Sequence, residues 1–172
     1  GIRDMPTGLV GSEMCIRDSI IKGEDSIFTR DITTIGGNQF TDAIMKDLNV
    51  TFEQAENLKQ GQGVEGQSPD AIAPILTSVS EQVLLEVQKT FDFFKATTSE
   101  DRIDRVVLSG GSARIPGLAD SMAERFDCRV EIANPFQNVN YSPKDFDAEF
   151  LEELGPACSI AVGLALRKAG DR

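Results

Sequence analysis

Histidine and tryptophan are absent from the 172 residues, tyrosine occurs once, and cysteine only three times. Without histidine the usual general base is missing, which removes Ser-His-Asp and Cys-His hydrolases from consideration. Cys15, Cys128 and Cys158 are odd in number, far apart and form no CxxC pair. A zinc site or a disulfide framework is therefore not expected. Reduced thiols and the lack of a signal-peptide pattern point to the cytoplasm. Basic charge is also short: 17 Lys+Arg against 28 Asp+Glu give a formal net charge of -11, with no run of Lys or Arg. Such a surface repels phosphate backbones, so nucleic acid is not an expected partner. No apolar stretch approaches the roughly 20 residues needed to cross a bilayer. Any membrane association would have to come through a partner rather than by direct insertion.

What remains is the make-up of an ordinary globular chain, 40% hydrophobic and 26% charged, long enough to bury a core. Residues 1–19 stand apart. Ile-Arg-Asp occurs at Ile2-Arg3-Asp4 and again at Ile16-Arg17-Asp18, and the residues between follow neither a strand nor a helix period. The string GSEMCIRDS resembles translated adapter or assembly read-through, and the segment is kept out of the expected fold. The competing reading is a native flexible extension.

From Ile20 the pattern becomes orderly. Ile20-Ile21, a turn at Lys22 to Asp25 and an alternating run from Ser26 to Ile32 predict a hairpin. Ile35-Gly36-Gly37-Asn38 follows as a turn, with Asn38 expected to cap a helix carrying Phe40, Ile44 and Leu48 on one stripe. Thr51 and Gln54 form a capping box for a short helix to about Gln60. A glycine-rich loop leads to Ser68-Pro69, which opens a helix to about Lys95 with Ile72, Leu76, Val79, Val83, Val87, Phe91 and Phe94 on its apolar face. Strands are expected at Arg105 to Leu108 and Arg129 to Ala133, and a helix opening at Pro116 has Ala119, Met122, Ala123 and Phe126 facing inward. Two closing helices, about Asp145 to Leu154 and Pro156 to Lys168, complete an α/β alternation. The small residues of the last one are expected to let it pack closely on its neighbours.

Three segments carry chemistry. Val106 to Leu118 reads VVLSGGSARIPGL, a buried-type strand followed by paired glycines that let backbone approach a ligand. Open α/β sheets bind ligands beyond the carboxyl ends of their strands. On the glycines alone, a tight turn with no ligand serves equally well. Ala55-Glu56-Asn57-Leu58-Lys59 sets an acid and a base three residues apart on one helix face. By itself such a pair is usually a solvated surface pair. The Ile35 to Thr41 segment, IGGNQFT, reads as architectural, a turn with a helix cap.

GGSARIPGL resembles the adenosine motif of the actin, heat-shock chaperone and FtsA-type ATPases. By that resemblance Gly110 and Gly111 would lie against the nucleotide, Ser112 would hydrogen-bond it, and Arg114 would stack on adenine with its planar, always-charged guanidinium. A surface salt bridge is the plainer role for Arg114. The AExxK helix of the same superfamily lines the adenine and ribose edge, which would make Glu56 an acceptor from sugar hydroxyls beside Lys59. IANPF (Ile132 to Phe136), the helix ACSIAVGLALR (Ala157 to Arg167) and the opening FTRDITTIGGNQFT (Phe28 to Thr41) resemble the PilM family of type IV pilus assembly proteins. Residues 20–172 are covered.

The resemblance implies the second half of an actin-like, ribonuclease H-like α/β ATPase fold, truncated, with an inserted small helical subdomain. Residues 20–36 and about 104–172 would form the large subdomain, and about 37–103 the small one. The cofactor implied is ATP with Mg²⁺. The phosphate and metal loops of the superfamily are not found: where an Asp-Ile-Gly turn is expected, before Ile20, stands Cys15-Ile16-Arg17-Asp18-Ser19. Phosphoryl transfer rests on positioning and metal-assisted charge neutralisation, so this chain alone is expected to be inactive and to bind nucleotide weakly. The implied partners are the cytoplasmic N-terminal tail of PilN and other inner-membrane pilus platform proteins, with a cytoplasmic location peripheral to that membrane. No partner-binding residues are assigned. An FtsA-like cell-division or GspL-like secretion scaffold without nucleotide turnover is the alternative, and a sugar kinase would need a substrate acid and phosphate loops that the sequence does not show.

Overall fold

A computed structural model describes residues 16–23, 25–99, 102–142 and 144–168. It begins with an antiparallel hairpin, β1 (Ile16–Lys22) and β2 (Asp25–Ile32). Three helices follow: α1 (Gly37–Leu48), α2 (Phe52–Lys59) and α3 (Pro69–Thr97). A parallel pair, β3 (Arg105–Leu108) and β4 (Arg129–Ile132), flanks α4 (Leu118–Phe126), and α5 (Ala148–Ala165) comes last. The two strand pairs are separate two-stranded sheets among the described residues.

The hairpin starts at Ile16, four residues before the expected edge of the fold. Ile16, Asp18 and Ile20 are half-buried while Arg17 and Ser19 are exposed, the alternation of a one-faced strand. The register pairs Asp18 with Arg30 and Ile20 with Phe28, then skips Ile27 at a bulge, which leaves Ile21 and Ile27 exposed. Residues 1–15 lie outside the described residues.

The hairpin's inner face rests on α3 through a polar cluster. Thr90 donates to Asp18 Oδ2 at 2.8 Å and accepts from Arg30 Nη1 at 3.1 Å. Arg30 also donates to the Glu86 carboxylate at 3.1 Å and to the Glu86 carbonyl at 3.3 Å, while Lys89 caps the other Glu86 oxygen at 2.6 Å. Burial pushes the Asp18 carboxyl above its usual range, against the lowering effect of the Thr90 hydrogen bond and the Arg30 charge. Beside the cluster, Phe28 packs its ring 5.6 Å from Phe93 and 6.3 Å from Phe94.

Two helix starts form as the sequence dictates and two do not. Thr51 and Gln54 make the reciprocal capping box, at 3.3 and 3.0 Å, and Ser68 accepts from the Asp70 N–H. The cap of α1 is Gly36, not Asn38: the Gln39 side chain reaches back to the Gly36 N–H at 2.6 Å. A side chain three residues into the helix can satisfy an orphan donor that Asn38, already inside the helix, cannot. Likewise α4 begins at Leu118 after Gly117, whose φ of +80° breaks the chain from Pro116.

The expected pair of closing helices is one helix. Pro156 sits inside α5, where a missing N–H usually ends a helix. Here Leu151, Gly155 and Pro156 are buried, and that packing holds the segment together across the proline. Beyond it, Ala157, Ala161, Gly163 and Ala165 lie exposed rather than packed closely.

α3, 29 residues and about 43 Å long, is the spine. Its apolar stripe from Ile72 to Val87 meets Phe40 and Ile44 of α1, Ala55 and Leu58 of α2, and Ile115, Leu118 and Met122 around α4 in one core. Phe91 meets Phe126 edge-on at 4.8 Å, and Arg125 reaches Glu81 at 3.2 Å, fixing α4 along the helix.

Candidate functional site

Parallel pairing puts the exits of β3 and β4 at the same end, and both exits converge on α5. The Ala133 N–H donates to the Leu108 carbonyl at 2.8 Å, one step beyond the last strand pair. Gly155 lies against Asn134 and Pro135, where an added Cβ would be 3.5 Å from the Asn134 Oδ1 and the Pro135 ring. The next carbonyl, of Pro156, accepts from the Gly110 N–H at 2.8 Å and from the Ser109 hydroxyl at 3.2 Å. Asn134-Pro135 and Gly155-Pro156 therefore serve as the anchor of the glycine loop. Sequence reasoning did not find the Pro156 carbonyl, because a backbone acceptor leaves no mark in the residue types.

Gly110 has φ +99° and ψ 169°, a conformation essentially confined to glycine. Space for 4 Å around an added Cβ at Gly110 and at Gly111 is open. A single 3-10 turn, Gly111–Arg114, follows and closes through Ala113 N–H to the Gly110 carbonyl at 3.1 Å. Ala113 and Ile115 are buried and pin the turn to the core, Ser112 is half-buried, and Gly111 and Arg114 face solvent. All four loop residues singled out from the sequence are thus held on one short, anchored, outward-facing turn.

α2 supplies the other two. Glu56 and Lys59 make an ion pair at 2.6 Å, but not a solvated surface pair: Lys59 is buried and Thr41 of α1 is fully so. The Lys59 ammonium donates to the Thr41 hydroxyl at 2.9 Å, and that hydroxyl donates in turn to Glu56 Oε1. The end of α2 reaches the glycine loop, since an added Cβ at Gly61 would stand 3.6 Å from the Pro116 ring. The chain leaving α2 thus passes close to the Pro116 ring, and Leu58 of α2 shares the core with Ile115, which follows Arg114. In the sequence Thr41 shows only as the end of a turn-and-cap segment; its faint signal is a polar residue beside Phe40 on the buried face of α1.

The family described as type IV pilus assembly protein PilM matches residues 9–169. The chain belongs to the PilM family. Among solved structures, the PilM-PilN type IV pilus biogenesis complex is similar at 29% identity and a TM-score of 0.72, over 91% of this chain and 43% of that one. The ethanolamine utilization protein EutJ from Carboxydothermus hydrogenoformans shares the fold, at 16% identity and a TM-score of 0.57, over 89% of this chain and 45% of that one. The chain spans less than half the length of these structures. The mixed helix and sheet architecture is that of an actin-like ATPase fold, as PilM and EutJ have it. No helix among the described residues is long and apolar enough to cross a membrane.

Proposed function

We propose that this PilM-family chain forms the adenosine wall of an ATP site in a type IV pilus assembly protein that works with PilN. One observation carries the reading: the Gly110 loop, held in a glycine-only conformation by the Pro156 carbonyl, opens onto free space with Arg114 exposed at its end. A structural turn could use any backbone the helix start allows, whereas this one leaves backbone bare where a ligand can approach. Gly110, Gly111 and Ser112 would receive the nucleotide, Arg114 would stack on the base, and Glu56 beside Lys59 would take the sugar. ATP would supply the phosphoryl chemistry elsewhere. These residues suit the nucleoside: a bare backbone turn, an exposed planar cation and a carboxylate about a quarter exposed.

The phosphate and metal loops are, on this reading, not among the described residues, which turn over nothing by themselves. The small subdomain is about 37–103, and 20–36 with about 104–172 make the large one. The protein acts in the cytoplasm, against the inner membrane through PilN and other platform proteins. ATP titration of the gene product that carries this chain, followed by thermal shift, is the test. Arg114→Ala should weaken ATP about fivefold, the scale of an exposed cation–π contact, and Glu56→Ala should also weaken it. A gene product with no ATP-dependent shift refutes the nucleotide reading. A second arm titrates the PilN N-terminal peptide, and no binding there removes PilN as partner.

A further inference from the structure

We propose that Thr41 is a positioning residue for the sugar-binding acid of this site, acting through Glu56 and Lys59; the inference rests on the nucleotide reading given above. The buried Thr41 hydroxyl has one proton and two lone pairs. It accepts from Lys59 at 2.9 Å and donates to Glu56 Oε1, the Gly37 carbonyl at 3.4 Å being the more distant acceptor for the same proton. Oε1 also takes the Lys59 ammonium at 2.6 Å, so one carboxylate oxygen is held by two donors. Oε2 accepts no hydrogen bond among the described residues, and the Glu56 side chain keeps about a quarter of its surface exposed (27%). A carboxylate fixed at one oxygen and open at the other is a ready acceptor for a vicinal diol such as that of ribose.

Thr41 makes this arrangement rather than merely tolerating it. An i,i+3 acid and base on a helix can pair in several rotamers, most of which direct both groups at each other and leave the acid free to swing. The hydroxyl comes from a different helix, α1, and is fully buried, so it does not move with them. It thereby sets which Glu56 oxygen is consumed and which is available. Preorganised acceptors of this kind favour ligand because little order remains to be imposed on binding.

The test compares Thr41→Val, which keeps the shape and removes the hydroxyl, with Thr41→Ser, which keeps the hydroxyl, and with Thr41→Ala should the valine variant fold poorly. Two readouts are taken. The first needs no nucleotide: trace acetylation of lysines followed by mass spectrometry reports how well Lys59 is held. Thr41→Val or Thr41→Ala should raise Lys59 labelling about fivefold or more, the scale of a lost buried hydrogen bond, while Thr41→Ser stays near wild type. The second is affinity for ATP and for 2′-deoxy-ATP in the gene product. Wild type and Thr41→Ser should prefer ATP, and Thr41→Val should lose that preference, whereas a purely structural defect would weaken both nucleotides alike. Unchanged Lys59 labelling, or a preference that survives in Thr41→Val while Arg114→Ala still weakens ATP, overturns the positioning role and leaves the nucleotide reading standing. Wild type that binds neither nucleotide overturns both.

Discussion

Two regions of the molecule handle their apolar residues differently. In α1, α2 and α3 the large side chains that face inward are closed off, Phe40, Ile44, Leu58 and Leu84 all at or below 1% exposure, while Phe52, Leu85 and Phe93 stand on the outer faces. Around β3, β4 and α5 they are not. Val107 and Ile132 stand half-open on the short parallel pair, and Ile160, Leu164 and Leu166 are more than 60% exposed on and just beyond α5. The first region is covered by its own sequence neighbours, since α1 packs on both α2 and α3. The second is built on a strand pair only four residues long in each strand, which covers little area by itself. Its order comes from hydrogen bonds at one end, where Gly110 and Ser109 meet the Pro156 carbonyl, rather than from a wide apolar contact.

That contrast can be broken or sharpened by substitution. The largest effect is expected from Ile44→Ala, which empties a fully buried position and should cost about 2–5 kcal/mol in denaturant unfolding. The matched change Ile160→Ala in α5 should stay within about 0.5 kcal/mol. Equal losses at the two sites would mean that the regions do not differ as described.

Next comes the anchored loop. Gly110→Ala forces a side chain into a glycine-only conformation and should cost about 1–3 kcal/mol. Gly111→Ala, at ordinary φ with open space around it, should leave the melting temperature nearly unchanged while weakening nucleotide binding. A Gly111→Ala that destabilises as much as Gly110→Ala would make the loop a structural turn.

Thr90→Val removes the hydroxyl shared by Asp18 and Arg30 at the hairpin–α3 seam. The loss should be about 1–3 kcal/mol, the penalty for leaving part-buried polar groups without a partner. Chevron or equilibrium unfolding of the variant beside Thr90→Ser would isolate the hydroxyl from the packing.

The smallest effect concerns pH. Because the folded-state pKa of Asp18 is raised, the folded form binds this proton more tightly than the unfolded chain. Its contribution is complete below the ordinary carboxyl value of 3.8 and declines as pH rises through the folded value. Asp18→Asn removes that decline, so the variant should gain stability over wild type on going from acid to neutral pH. A variant whose stability difference from wild type is flat between pH 3 and 7 would show that Asp18 is not held against its charge. Asp31, held down chiefly by its hydrogen bond from Arg17 on the outer face of the same hairpin, has the opposite sign.

Much of the helical region was legible because its signals are local. Thr51 and Gln54, Ser68 before Pro69, and the stripe from Ile72 to Val87 each report their role within a turn or two of sequence. The misreadings fall where two distant segments meet. Gly36 rather than Asn38 caps α1 because of where the Gln39 side chain lies. Pro156 does not end a helix because the residues before it are buried. The strand before Ile20 is hidden in the sequence by the repeated Ile-Arg-Asp and the foreign-looking GSEMCIRDS, and only its register against β2 shows Ile16, Asp18 and Ile20 on one face.

At the candidate site the same division holds. The glycine loop with Arg114 and the Glu56–Lys59 pair could be located from residue types and spacing, but only the resemblance to the actin-like ATPases makes a candidate nucleotide site out of what otherwise reads as a tight turn and a surface pair. The sequence by itself therefore determined most of the helical core, its buried faces and where the two candidate segments lie. Only the tertiary structure decided that Lys59 is buried, that Thr41 sits between it and Glu56, and that the Pro156 carbonyl anchors Gly110. Each of those depends on groups far apart in the chain, one of them a backbone atom common to every residue. No spacing rule reaches them; packing brings them together.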